Sequence, residues 1–147
     1  MTLKKELEKD LLAAMKSKDE TRKNVLRMAI SSIKLAEVES GSELEDTAIF
    51  GIMQKEIKTR EETISEAKKA GRTEMIAPLE AEIDIIKEYL PKEISDDELA
   101  ELVKKIISET GASSMKDMGS VMKIAIQEIQ GRAPNDRISK TIREFLA

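Results

Sequence analysis

YLPKEIS, residues 89–95, divides the chain. Pro91 has no amide hydrogen and pushes Leu90 out of helical conformation, so a helix arriving from the N-terminal side stops there. Ser95, followed three residues later by Glu98, has the pattern of a capping box that starts a new helix. The expectation is an N-terminal domain of residues 1–91 and a C-terminal domain of residues 92–147.

Working outward from this boundary, every segment shows helical periodicity. Leu3, Leu7, Leu11 and Met15 form one apolar stripe. Val25, Leu26, Ala29, Ile30, Ile33 and Ala36 form a second, closed by Gly41 with Ser42 or Asp46 able to cap the next helix. Ile49, Ile52, Met53, Ile57 and Ile64 form a third, ending at Gly71. Leu79, Ile83, Ile86 and Leu90 form a fourth. With Thr73 as its cap, Pro78 removes a bond in the first turn; otherwise the helix starts nearer Ala77.

Beyond Pro91, Leu99, Leu102, Val103, Ile106 and Ile107 turn inward up to Gly111. Met118, Val121, Met122, Ala125 and Ile129 do so up to Gly131, and Ile138, Ile142, Phe145 and Leu146 in the last segment. No stretch alternates with period two. The expected fold is all-α, an N-terminal four-helix domain followed by a small C-terminal three-helix bundle.

Composition excludes much chemistry. The 147 residues contain no cysteine and no histidine, which removes disulfides, thiol nucleophiles, Ser-His-Asp triads and zinc sites built on those side chains. Acids and bases mix from residue 4 onward, unlike a signal peptide, and no apolar run approaches a bilayer span. The expectation is a cytoplasmic protein without cofactor, metal, membrane or DNA partner, and without catalytic residues. Glu56, Glu61 and Glu62, or Glu80 and Asp84, could hold magnesium, but lysines and arginines at helical spacing make salt-bridged surface the stronger reading. Ser113 and Ser114 near Lys116 lack a recognisable oxyanion loop.

The net charge of −4 disfavours wholesale wrapping by nucleic acid. Residues 113–147 alone are basic, with six Lys and Arg against four Asp and Glu. They include QGRAPNDR, residues 130–137. There Gly131 and Pro134 turn the chain and Asn135 or Asp136 caps the last helix, which leaves Arg132 and Arg137 unexplained. At about 100° per residue, Arg137, Lys140 and Arg143 lie away from the apolar positions of that helix. Such a row beside helix-terminal amides suits phosphate oxygens, with Lys116 and Lys123 as further contacts; the competing reading is a solvated face.

TRKNVLRMAISSIKLAEVE, QKEIKTREETISEAKKAGR, EYLPKEIS, KDMGSVMKIAIQEIQ and GRA, taken in order, resemble the GatB/YqeY family over nearly the full length. Its stand-alone members are similar to the C-terminal tail of the B subunit of the tRNA-dependent amidotransferase. The resemblance implies two helical domains and an association with tRNA or a tRNA-handling protein partner. It places the shared motif at Gly119, Met122, Gly131, Arg132 and Ala133, with close packing at Gly119 and Ala133. Pro134 departs from the Asp or Asn often found there. The resemblance brings no catalytic cradle. An amidotransferase-like carbon–nitrogen ligase activity on aminoacyl-tRNA, with glutamine as amido donor, and a helical protein–protein adaptor are the alternatives.

Overall fold

In the computed structural model, which describes residues 2–146, the chain is all-α. The helices among the described residues are α1 (Leu3–Ser17), α2 (Glu20–Ser40), α3 (Asp46–Lys69), α4 (Ile76–Lys87), α5 (Asp96–Thr110), α6 (Met118–Ile129) and α7 (Asn135–Leu146). Short 3-10 turns at Thr73–Met75 and Met115–Asp117 lead into α4 and α6. Two compact units adjoin in sequence at Leu90 and Pro91.

In the first unit Leu7, Leu26, Ile33, Ile49 and Met53 are almost completely buried in a shared core. Each such side chain contributes roughly 1.5–3 kcal/mol of burial. The α1 stripe departs from expectation, because Met15 is exposed and Ala14 is buried in its place. A strict four-residue repeat drifts by about 40° per step, so Met15 stands about 120° from Leu3 and Ala14 only about 20°. Asp46 does not cap its own helix either: its carboxylate accepts a hydrogen bond from the Leu3 amide at 3.1 Å, one of the free amides of α1. Pro78 falls in the first turn of α4, where no intrahelical donor is required.

The charged middle of α3 hides a buried cation. Arg60 occupies the inward position between Ile57 and Ile64, with a side chain only 7% exposed. Its guanidinium donates to the Glu56 carboxylate at 2.8 Å and lies 3.6 Å from Glu82 of α4, while its Nε has no partner. Tyr89 donates its hydroxyl to Asp10 at 2.6 Å; burial, then that bond, raises the phenol's pKa far above its usual value.

The second unit buries Leu99, Val103, Ile106, Val121, Ala125, Ile129, Ile138 and Ile142, together with Ile94 from the segment before α5. Arg137 of α7 meets Asp96 of α5 at 2.7 Å, and eight positions further along both helices Lys104 stands 5.3 Å from the centre of the Phe145 ring. Equal offsets at both ends mean that α5 and α7 run parallel. Phe145 is consequently 38% exposed rather than buried, and presents its ring to a cation.

Candidate nucleic-acid interface

The turn from α6 to α7 is tighter than a single glycine stop. α6 ends at Ile129, and Gln130 and Gly131 both take left-handed conformation, with φ of 51° and 80°. Two such residues in succession reverse the chain so that the Arg132 carbonyl accepts a hydrogen bond from the Ile94 amide at 2.8 Å. Ala133 is buried beneath this contact.

Arg132 and Arg137 complete the same attachment. Arg132 donates through Nε to the Lys92 carbonyl at 3.1 Å and through Nη2 to Glu98 at 3.3 Å. Arg137 donates to Glu93 at 3.2 Å and to Asp96 at 2.7 Å. The two arginines therefore clasp residues 92–98 against the start of α7, each giving two of its five N–H donors to a nearby group. Ser95 caps α5 by accepting from the Glu98 amide at 3.1 Å, but the Glu98 carboxylate turns to Arg132 instead of closing a reciprocal box. Sequence reasoning missed Lys92, Glu93, Asp96 and Glu98 as partners because the contacts span 34 to 44 positions. No local spacing encodes them.

The other cations differ. Lys116, Lys123, Lys140 and Arg143 are exposed, and none forms a salt bridge among the described residues. On α7, Asp136 and Glu144 share the outward side with Lys140, so the row is interleaved with acids. Asp117 is withdrawn from that surface, since its carboxylate accepts from the Ser113 and Ser114 amides at 3.0 and 3.4 Å. Ser114 accepts in turn from the Lys116 amide and so caps the turn that leads into α6. Gly119 lies in α6 with nothing within 4 Å of where a Cβ would stand, so close packing does not account for it. Met122 is half-buried against the core, as is Met118, while Met115 is exposed. Among the described residues no group of three or more acidic side chains could hold a metal ion, and no helix is long and apolar enough to cross a membrane.

A family model described as Yqey-like protein matches residues 4–146. The chain belongs to that family. The domain occurs in the C-terminal tail of GatB and in stand-alone Yqey-like proteins. Curated relatives include the Altered inheritance of mitochondria protein 41, mitochondrial, of Pyrenophora tritici-repentis, 29% identical over 144 residues that cover 95% of this chain and 78% of that protein. The protein of the same name from Lachancea thermotolerans is 39% identical over 85 residues, 57% of this chain and 46% of the relative. That from Vanderwaltozyma polyspora is 31% identical over 122 residues, 78% and 65%. The chain thus spans less than two thirds of the latter two.

These names overturn the expectation of a cytoplasmic protein, since they point to mitochondria. That expectation rested on a charged N-terminal stretch unlike a signal peptide and on missing apolar spans, with the absence of cysteine in agreement. None of these features distinguishes one reducing aqueous compartment from another.

Proposed function

We propose that this Yqey-like chain is a non-catalytic, tRNA-associated helical module, with a four-helix domain over residues 1–91 and a three-helix domain over residues 92–147 that carries the RNA contacts. The observation behind this reading is the distribution of unpaired charge in the second unit. Four carboxylates there are engaged by the clasp and by capping, Glu93, Asp96 and Glu98 on arginines and Asp117 on backbone amides, while Asp97, Glu128 and Glu144 stay exposed and outside any salt bridge among the described residues. Lys116, Lys123, Lys140 and Arg143 are left exposed and unpaired among the described residues. Cations in this state lose no existing partner when they meet a phosphate, whereas Arg132 and Arg137 would first have to leave theirs.

Four contacts interleaved with Asp136 and Glu144 give modest, strongly salt-dependent affinity, because each neutralised phosphate contributes less than one unit of salt slope. The test is a salt-titrated binding assay of the whole chain with bulk tRNA beside duplex DNA. Preference for tRNA, with a slope reduced by about 1.5–2 when Lys140 and Arg143 are both changed to alanine, is the expected outcome. Absence of binding at low salt removes the reading. Ammonia release from glutamine in the presence of charged tRNA would replace it with the amidotransferase-like alternative.

A further inference from the structure

The outward side of α2 carries an apolar seam where a solvated helix would carry charge. Met28 is 49% exposed, Leu35 61% and Val38 79%. With Asn24 and Ser31 they stand at spacings of four, three, four and three, the seam of a coiled coil. None of these five is buried, and the core residues of α2, Val25, Leu26, Ala29, Ile30 and Ile33, lie on its other side.

The flanks of the seam identify what fits it. Lys34, just before Leu35, flanks it on one side and Glu39, just after Val38, on the other, both exposed and neither in a salt bridge among the described residues. Within one helix, residues five apart point about 140° away from each other and cannot pair. In a parallel pair of identical helices, however, the position before the seam faces the position five further along on the other copy. Lys34 then meets Glu39 of the second copy, and symmetry supplies the pair twice. An antiparallel pair on the same seam brings like flank to like flank and sets Lys34 beside Lys34 of the second copy.

We propose that α2 mediates self-association of this chain as a parallel two-stranded contact, with Met28, Leu35 and Val38 layered on their counterparts and Lys34–Glu39 pairs on both flanks. From Asn24 to Val38 the seam is about 21 Å long, so the contact lies at the small end of specific interfaces and the dimer is weak and concentration-dependent.

Sedimentation of the full chain from low micromolar to about 1 mM tests this, a range that spans weak association. A monomer–dimer equilibrium is expected. Leu35→Asp, at an exposed position, abolishes it without unfolding the chain. Lys34→Glu and Glu39→Lys each replace two attractive pairs with two repulsive ones and weaken dimerisation about tenfold, while the double swap restores it. A chain that stays monomeric throughout overturns the proposal and leaves the seam to a different partner. Dimerisation indifferent to Leu35→Asp, or single swaps that do not weaken it, overturns it equally.

Discussion

Replacing Arg132 and Arg137 with alanine separates a structural clasp from an RNA contact. Arg132→Ala keeps the backbone bond from Ile94 and removes the side-chain contacts to the Lys92 carbonyl and to Glu98. The Arg132 side chain is 36% exposed, and Lys92 and Glu98 return to water, so the loss is about 1 kcal/mol rather than the larger value of a buried charged bond. Arg137→Ala gives up two pairs whose acidic partners are largely exposed, worth about 0.5–1 kcal/mol together. Both arginines hold the same segment, so the double change falls somewhat short of the sum, at about 1.5 kcal/mol. For a domain of this size that is a fall in melting temperature of roughly 6–12 °C.

The assay combines thermal unfolding by circular dichroism with amide exchange at Ile94, whose proton the Arg132 carbonyl accepts. The double variant should melt earlier and exchange Ile94 faster, yet keep tRNA affinity within about twofold. Lys140→Ala with Arg143→Ala should do the reverse, weakening RNA binding while stability stays within about 0.5 kcal/mol, as exposed unpaired positions do. Unchanged stability together with lost RNA binding in the arginine variant would refute the clasp.

Arg60→Met removes a buried cation whose Nε lacks a partner, and leaves Glu56 and Glu82 partly exposed to rehydrate; urea unfolding should show stability unchanged or raised by up to about 2 kcal/mol. Lys18 closes α1 in left-handed conformation with φ of 60°, so Lys18→Gly should stabilise by about 1 kcal/mol in the same assay. Hydrogen bonds from Lys4 and then from the Leu44 amide hold the Glu37 carboxyl below its ordinary 4.5. A depressed carboxyl contributes stability above its unfolded pKa and loses it as pH falls through the folded value. Glu37→Gln should therefore flatten the decline of stability below about pH 4.5, checked by urea midpoints and a carboxyl NMR titration.

What was legible in the sequence is what local periodicity encodes. The inward residues of α2, the stop at Pro91 and the cap at Ser95 follow from spacing and from backbone chemistry confined to a few positions. Met15 was misplaced by a repeat that drifts within its own helix, whereas the other misread side chains have a partner on another element. Asp46 reads as a cap for its own helix until the Leu3 amide, 43 positions away, comes within 3.1 Å. Phe145 reads as core until parallel packing of α5 and α7 leaves its ring half outside under Lys104. Arg60 reads as one charge in a charged run, although its place between Ile57 and Ile64 on the buried face was the available signal.

The same reasoning governs the basic segment. Counting charge along the sequence makes residues 113–147 net basic, six Lys and Arg against four Asp and Glu, but charge acts at a surface only after local neutralisation. The fold assigns Arg132 and Arg137 to Glu93, Asp96 and Glu98, which lie outside that segment in the sequence. Those carboxylates are thereby neutralised as well, so the clasp lowers the negative field near α7 while withdrawing two cations from it. Within residues 113–147 the cations that remain outside salt bridges are Lys116, Lys123, Lys140 and Arg143, and on the proposed reading the RNA affinity of that segment scales with these four rather than with its six positive charges.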